Sequence, residues 1–304
     1  MRTGPDYIQF YPTLQCNLSC SFCFNRALPP LQDMPLDAYE NMIGVLAHAK
    51  VRTLDIIGGE PTMHPEIVGI IREAGAHGLH VNISTNGTNL RLLAEIMRFG
   101  DAVTTGISVN DREMFTQVRG FVQEHRPVVK MVFGPALDHA LVKSILELGP
   151  KRFYLIYRDA MEKSELHAAV PFYQYAASLD TYYGPASVGM VYCSGFLPDV
   201  QEHPELAHVR CPAGTTKLGI MPNGDVYPCN LFFGKKEFLL GNILSDPFES
   251  IWNHGTLGFF RSFSRNACPA TTCELYSRCH GGCPAHSFAH AGTLAAPDPR
   301  CVAG

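Results

Sequence analysis

Short apolar runs rich in β-branched and aromatic residues alternate along the chain with longer stretches whose apolar residues recur at helical spacing. The runs that predict strands are residues 7–13, 53–57, 80–84, 103–109, 128–133, 153–157 and 187–192. Among the stretches between them, 36–49 and 65–78 carry the helical pattern, and Pro65 suits a first helical turn. This alternation predicts an α/β fold with a parallel sheet, either open or curved into a barrel.

The turns that follow these predicted strands carry glycines and polar side chains. Gly58-Gly59-Glu60-Pro61 follows the second strand, Thr85-Asn86-Gly87 follows the third and Ser108 lies near the end of the fourth. Two adjacent glycines let the backbone approach a ligand closely, and Glu60 adds an acceptor. Because the carboxyl ends of parallel strands meet on one rim, where barrel enzymes place their chemistry, we expect these turns to converge there.

Composition narrows the class of protein. The chain has 304 residues, of which 46 % are hydrophobic and 17 % are charged, so it is expected to fold as a globular protein. A net charge of −4 argues against a basic nucleic-acid binder. The apolar runs are much shorter than the ~20 residues of a membrane span, and no secretory signal is recognisable at the N-terminus. We therefore expect a cytoplasmic protein with no nucleic-acid or membrane partner.

The cysteines supply the candidate chemistry. Eleven are present, at positions 16, 20, 23, 193, 211, 229, 268, 273, 279, 283 and 301. An odd number without a secretory signal argues against a disulfide framework, and the close spacing of two groups favours metal ligands over scattered buried thiols. Zinc and iron–sulfur clusters both use such thiolates. The first group offers only three cysteines, which leaves one metal position open for a small molecule.

The first group also carries a family resemblance. Cys16-x3-Cys20-x2-Cys23, with Phe22 before the third cysteine, resembles the signature of the radical S-adenosylmethionine (SAM) superfamily. The resemblance implies that these cysteines hold a 4Fe–4S cluster whose fourth iron is chelated by SAM, at the rim of a partial (β/α)6 barrel of the TIM type. It implies that the SAM-binding residues are Phe22, Gly58, Gly59, Glu60, Pro61, Ser84, Thr85, Asn86, Ser108 and Arg158.

The C-terminal part resembles the SPASM extension of that superfamily. A hairpin turn at Pro222-Asn223-Gly224-Asp225 leads toward Cys229, and seven cysteines occur from Cys211 onward. The resemblance implies two auxiliary iron–sulfur clusters, both 4Fe–4S or one of them 2Fe–2S. The nearer cluster would be held by Cys211, Cys229 and Cys283, and the farther one by Cys268, Cys273, Cys279 and Cys301. We expect a radical SAM barrel over residues 1–200 and a SPASM domain, a hairpin with short helices, over 201–304. Two zinc ribbons are the alternative for this part.

Three departures from the family pattern bear on the substrate. The second cysteine block has the spacing Cys268-x4-Cys273 instead of CxxC, and we expect no N-terminal domain of the kind that grips a leader peptide. Asn230 follows Cys229 where sulfatase-maturing relatives carry an aspartate that is proposed to act as a base. An amide cannot take a proton in this way, which argues against sulfatase maturation.

Cys193 is left over once three and seven cysteines have been assigned. It follows the last predicted barrel strand, so it should face the same rim as the first cysteine group. Three interpretations are open: a buried thiol without a role, a fourth ligand of the nearer auxiliary cluster, and a catalytic hydrogen-atom donor to a substrate radical. The last would make the enzyme an epimerase.

The resemblance implies an enzyme that cleaves SAM to a 5′-deoxyadenosyl radical, which then takes hydrogen from a substrate C–H bond. Its partners would be a flavodoxin or ferredoxin-type electron donor and the substrate. Modification of a peptide or protein by cross-linking, oxidation or epimerisation is the main expectation, with a separate leader-peptide-binding protein as a further candidate partner. The alternatives are a small-molecule epimerase or dehydrogenase acting on a sugar or aminoglycoside, and a non-catalytic zinc-binding protein.

Overall fold

A computed structural model of the chain describes residues 4–182, 188–190, 206–262, 268 and 272–301. The chain divides into two compact units, each made of two segments. The first unit comprises Met1–Ile107 and Ala213–Phe259, and the second comprises Ser108–Pro212 and Phe260–Gly304. The expected sequence domains, 1–200 and 201–304, stay a prediction, because the compact units are a different kind of division.

Strands and helices alternate through most of the described chain. The strands are β1 (Tyr7–Phe10), β2 (Thr53–Ile56), β3 (His80–Thr85), β4 (Val103–Ser108), β5 (Val128–Phe133), β6 (Arg152–Tyr157), β7 (Val188–Met190), β8 (Lys217–Ile220), β9 (Asp225–Tyr227) and β10 (Gly241–Asn242). The helices are α1 (Leu36–His48), α2 (Ile67–Ala76), α3 (Leu90–Met97), α4 (Arg112–His125), α5 (His139–Glu147), α6 (Phe172–Tyr182), α7 (Phe248–Trp252), α8 (Leu257–Ser262), α9 (Tyr276–Cys279) and α10 (Pro284–Ala291).

In the first unit the strand order is β10-β9-β8-β1-β2-β3-β4. The strands from β8 to β4 run parallel, with Ile8 of β1 in register with both Leu54 and Leu218 on its neighbours. These three side chains are fully buried. Burial of each contributes about 1.5–3 kcal/mol, and it fixes the register because a one-residue slip would turn the apolar positions to the opposite face.

The hairpin expected before Cys229 is present. Strands β8 and β9 are antiparallel, and Gly224 turns between them with a φ of +86°. A Cβ at Gly224 would lie 2.8 Å from both the Asn242 side-chain oxygen and a Leu244 carbon, so the turn depends on glycine for space as well as for φ.

In the second unit β5, β6 and β7 form a parallel sheet in that order. Asp111 and Asp138 cap the N-termini of α4 and α5 by accepting the backbone N–H groups of Met114 and Leu141. No helix of the described residues is long and apolar enough to cross a membrane.

The α/β class with parallel strands is confirmed. The helix predicted over 65–78 begins instead at Ile67, because Pro65 and Glu66 form a turn before it. The prediction that Pro65 lies in the first helical turn was therefore wrong. The strand predicted over 187–192 is seen at Val188–Met190, and its other residues lie outside the described part of the chain.

Candidate functional site

The first three cysteines lie on the loop that leaves β1. Cys16 is exposed, whereas Cys20 and Cys23 are half-buried, and a backbone hydrogen bond from Cys23 N–H to Cys20 C=O (3.1 Å) closes a turn between them. Burial raises the pKa of the Cys16 thiol; the N–H of Leu18, which donates to its sulfur at 3.4 Å, opposes this rise, and the nearby Glu60 and Cys23 reinforce it. The Cys16 and Cys23 thiols are thus close enough to act on each other, and the turn joins Cys20 to Cys23 through the backbone.

The loop after β2 packs directly against the segment that leads to Cys16. The N–H of Gly59 donates to the carbonyl of Thr13 (3.1 Å), and the N–H of Glu60 donates to that of Gln15 (2.7 Å). A Cβ at Gly59 would lie 2.0 Å from the Gln15 carbonyl oxygen, and one at Gly58, whose φ is +133°, would lie 2.6 Å from that of Thr13. Both glycines are required for this close contact between backbones.

The Glu60 carboxylate joins this loop to the turn after β3. It is 1 % exposed. One oxygen accepts from Thr62 N–H (3.0 Å) and from the hydroxyls of Thr62 and Thr85 (both 2.6 Å), and the other accepts from Asn86 N–H (2.7 Å). Four donors thus compensate the buried charge, three of them at one oxygen and one at the other. The side chain fixes the loop, and its predicted contact with SAM stays a prediction.

A second connection ties the cysteine loop to the same turn. The Asn86 side chain donates to Asn17 (2.8 Å), and the Asn17 side chain donates to Thr88 (2.9 Å). Asn17 directly follows Cys16, so the first cysteine is held relative to the β3 turn. The sequence analysis missed Asn17, because an asparagine in a loop carries no recognisable signal without its partners.

The remaining predicted SAM-binding residues occupy strand ends or loops. Phe22 is half-buried beside Cys23, and Pro61 is buried. Ser84 and Ser108 are partly exposed at the ends of β3 and β4. The structure brings Glu60, Thr85 and Asn86 together with the cysteine loop in the first unit. Ser108 and Arg158 belong to the second unit.

Asn230 lies against the same region of the first unit. Its amide donates to the Tyr11 hydroxyl (3.2 Å), which contacts Asn25 (3.3 Å), and Asn25 donates to the Gly58 carbonyl (2.7 Å). Burial raises the pKa of Tyr11 far above its usual value, which keeps the hydroxyl neutral. A neutral amide and a neutral phenol are therefore hydrogen-bonded to each other here, and neither group is a base at neutral pH.

Arg158, just beyond β6, lies in a segment that the C-terminal residues hold tightly. Arg300 donates to the Arg158 carbonyl (3.0 Å) and to the Asp159 carboxylate (3.4 Å). His286 accepts from Ala160 N–H (3.0 Å), and His290 donates to the Ala160 carbonyl (2.7 Å). The Arg158 Nε is buried and has no hydrogen-bond partner among the described residues. Such a donor suits an anionic ligand group.

Within the second unit, four C-terminal cysteines act on one another electrostatically. Burial raises the pKa of Cys279 to about 11, the N–H of Gly281 opposes the rise, and the thiols of Cys301, Cys268 and Cys273 raise it further. These four are the predicted ligands of the farther cluster. The ten described cysteines have no disulfide among them.

No group of three or more His, Cys, Asp or Glu side chains in the described residues is arranged around a single ion position. An iron–sulfur cluster does not require such an arrangement, because each thiolate binds a different iron. Of the predicted ligands of the nearer cluster, Cys211 and Cys283 lie in the second unit and the buried Cys229 lies in the first. Both auxiliary ligand sets stay predictions. Cys193 lies outside the described residues.

Glu60→Gln provides a test of the loop connection. The amide replaces one carboxylate oxygen by a donor that would face other donors, and charge-assisted hydrogen bonds of this kind contribute about 1.5–3 kcal/mol each. We expect SAM to bind the reconstituted variant at least roughly tenfold more weakly, a change of 1.4 kcal/mol. Equilibrium dialysis with labelled SAM measures this. Glu40→Gln, on the exposed face of α1, should bind SAM as the wild type does; equal affinity of both variants would contradict the assignment.

Two family models match the chain, one over the part with the first cysteine group and one over the cysteine-rich C-terminal part. The model of the Radical SAM superfamily matches residues 10–155, and that of the SPASM iron–sulfur cluster-binding domain matches residues 211–284. These matches define the class of the chain. With its α/β fold, its three-cysteine loop and its cysteine-rich C-terminal region, it is an iron–sulfur protein. The chain belongs to the radical SAM superfamily and carries a SPASM domain, which confirms the resemblance and disfavours zinc ribbons.

Relatives agree over nearly the whole chain. Mycofactocin maturase MftC of Mycolicibacterium smegmatis is 27 % identical over 99 % of this chain and 83 % of its own length. The antilisterial bacteriocin subtilosin biosynthesis protein AlbA of Bacillus subtilis is 26 % identical over 82 % of this chain and 60 % of its own. The crystal structure of Streptococcus suis SuiB bound to S-adenosylmethionine matches 99 % of this chain and 78 % of its own, with a TM-score of 0.75 and 19 % identity. The fold expectation is thus confirmed, and the chain is a radical SAM enzyme.

Proposed function

We propose that this enzyme modifies a residue of a peptide or protein after reductive cleavage of SAM. The observation that carries the proposal is the attachment of the three-cysteine loop to two neighbouring turns through Glu60 and Asn17. When bound, a 4Fe–4S cluster supplies the electron that splits SAM into methionine and a 5′-deoxyadenosyl radical, which removes hydrogen from a substrate C–H bond.

The chain's own residues have three tasks in this proposal. Cys16, Cys20 and Cys23 would hold the 4Fe–4S cluster, and a three-ligand set would leave one position for SAM. The backbone of Gly58 and Gly59 would lie against the methionine part of SAM. The hydrogen bonds of the Glu60 carboxylate fix the position of this loop. Arg158 keeps its predicted role toward the SAM carboxylate; its Nε is buried and has no hydrogen-bond partner among the described residues. Fixed geometry of this kind shortens the search for the reactive arrangement.

The names of the relatives support a peptide substrate. A maturase and a bacteriocin biosynthesis protein match most of the chain, and another solved SuiB structure contains the precursor peptide SuiA. By contrast, the GTP 3′,8-cyclase of Chlorobaculum tepidum, 35 % identical, matches only 43 % of this chain. Asn230, bonded to Tyr11, argues against the aspartate-dependent chemistry expected of sulfatase maturation. Cross-linking, oxidation and epimerisation remain the candidate modifications.

The role of Cys193 as hydrogen donor stays a prediction, as does the flavodoxin or ferredoxin-type donor of electrons. A separate leader-peptide-binding protein is likewise a proposal. The small-molecule alternative, a sugar or aminoglycoside epimerase or dehydrogenase, enters the test as its competing outcome.

The test measures the transfer of deuterium from a labelled substrate to 5′-deoxyadenosine. The anaerobically reconstituted enzyme, with SAM and dithionite, is supplied either with the peptide fraction or with the small-molecule fraction of host cells grown in deuterated medium. We expect 5′-deoxyadenosine to form and to carry deuterium only with the peptide fraction. A chain with Cys16, Cys20 and Cys23 all replaced by alanine should form none. Deuterium transfer from the small-molecule fraction alone would overturn the proposal of a peptide substrate. Absence of 5′-deoxyadenosine would overturn the proposed cleavage of SAM.

A further inference from the structure

Arg210 is a buried cation bonded to neutral oxygens. It directly precedes Cys211 and is 2 % exposed. Its guanidinium donates to the carbonyls of Gly282 (2.7 Å), Gly281 (2.7 Å) and Leu294 (2.6 Å) and to the Ser287 hydroxyl (2.7 Å). Arginine keeps its charge in proteins, and an interior charge is costly unless negative groups lie near it.

The negative groups near Arg210 are predicted cluster ligands. The thiols of Cys283, Cys211 and Cys279 all act on the guanidinium electrostatically, together with the Asp298 carboxylate. Asp298 is itself engaged by the Arg300 guanidinium (2.7 Å) and by the N–H of Cys283 (2.8 Å). Three predicted cluster ligands therefore act on Arg210, and the carboxylate that also acts on it, Asp298, is already paired with Arg300.

The Arg210 guanidinium also binds the short segment that connects the two predicted ligand sets. Gly281 and Gly282 lie between Cys279, a predicted ligand of the farther cluster, and Cys283, a predicted ligand of the nearer one. Both glycines have positive φ, +88° and +81°, which turns their carbonyls to the guanidinium within a segment of three residues. One cation thus binds the link between both sets.

We propose that Arg210 raises the reduction potentials of both auxiliary clusters. The inference rests on the proposed function in that it requires these clusters. A one-electron reduction adds a negative charge to a cluster and breaks no bond, and a fixed cation in a poorly polarisable interior stabilises that added charge. Arg210 is a positioning and tuning residue, since it reaches the reaction through the clusters.

The test is a mediated redox titration of the full-length, anaerobically reconstituted enzyme with dithionite, followed by electron paramagnetic resonance. Arg210→Gln should lower the auxiliary midpoint potentials by about 59 mV or more, a tenfold change in the one-electron equilibrium constant. Arg210→Lys keeps the charge and should keep the wild-type potentials. The control Arg126→Gln removes an exposed guanidinium that donates to the Gly149 carbonyl (2.7 Å), and it should shift nothing.

Iron content separates the outcomes. If Arg210→Gln loses its auxiliary iron while Arg210→Lys retains the iron and the potentials, the charge assignment stands. Unshifted potentials in Arg210→Gln, lowered potentials in Arg210→Lys, or loss of auxiliary iron from both variants would overturn it. A wild-type enzyme with only about four irons per chain would instead overturn the auxiliary clusters of the proposed function.

Discussion

Gly59→Ala is expected to abolish SAM cleavage. Its Cβ would lie 2.0 Å from the Gln15 carbonyl oxygen, 2.6 Å from the Gln15 carbonyl carbon and 2.7 Å from that of Leu14. All three are backbone atoms, so no side-chain rotation relieves the clash. Overpacking of this kind costs about 1–3 kcal/mol or more, and here the cost falls on the segment that leads into Cys16.

The measurement is iron per chain and 5′-deoxyadenosine after anaerobic reconstitution. We expect the variant to lose about four irons, those of the SAM cluster, and to retain the others. Gly75→Ala, in α2, is the matched control, because a Cβ there meets nothing within 4 Å. The control should be as active as the wild type and about 0.5–1 kcal/mol more stable, since alanine favours helix over glycine. Wild-type iron and cleavage in Gly59→Ala would refute the packing argument.

Asp298→Asn is expected to destabilise the protein by about 3–5 kcal/mol. Asp298 and Arg300 are both buried and are joined at 2.7 Å, while the Arg300 guanidinium also lies 4.5 Å from the centre of the Tyr157 ring. Burial pushes the pKa of Asp298 up, but the charge and hydrogen bonds of Arg300 hold it below the usual value. Removing the carboxylate leaves a buried guanidinium with the more distant carboxylate of Asp159, at 3.4 Å.

Urea unfolding of the reconstituted variant tests this, and its iron content tests a second consequence. Since Asp298 also accepts the N–H of Cys283, auxiliary iron should fall while SAM-cluster iron remains. The control is Asp138→Asn, a partly exposed helix cap paired with Arg112 at 2.8 Å. Asparagine caps a helix as well as aspartate does, so the control should unfold at the wild-type urea concentration. Equal midpoints for both variants would show that the buried pair contributes little.

His286 and His290 show how the C-terminal residues support the barrel segment beside Arg158. Both lie on α10, four residues apart, and they hold the N–H and the carbonyl of Ala160. Burial and the Arg300 charge keep the pKa of His286 well below its usual value. A neutral His286 can accept the Ala160 N–H at neutral pH. The helix that follows the predicted ligand Cys283 and the segment that carries Arg158 are thus joined within the second unit.

The sequence by itself determined the fold class and the family. The alternation of apolar runs predicted the parallel strands, and the spacings around Cys16 and Cys211 predicted the two domains that the family models match. These features are local in sequence, since the period of a strand and the spacing of ligands in a loop are read within a few residues.

What only the tertiary structure decided is how these motifs are held. Glu60 stays a predicted SAM-binding residue, and the structure adds that its buried carboxylate accepts hydrogen bonds from Thr62, Thr85 and Asn86. Arg210 and Arg300 each directly precede a predicted cluster cysteine, a signal the sequence analysis missed. The carbonyl groups that these arginines bind lie between more than seventy and about 140 residues away along the chain. The carboxylate partner of Arg300, Asp298, lies just before it. Buried charges and close glycine contacts depend on which distant atoms the fold brings together, and no local pattern encodes that.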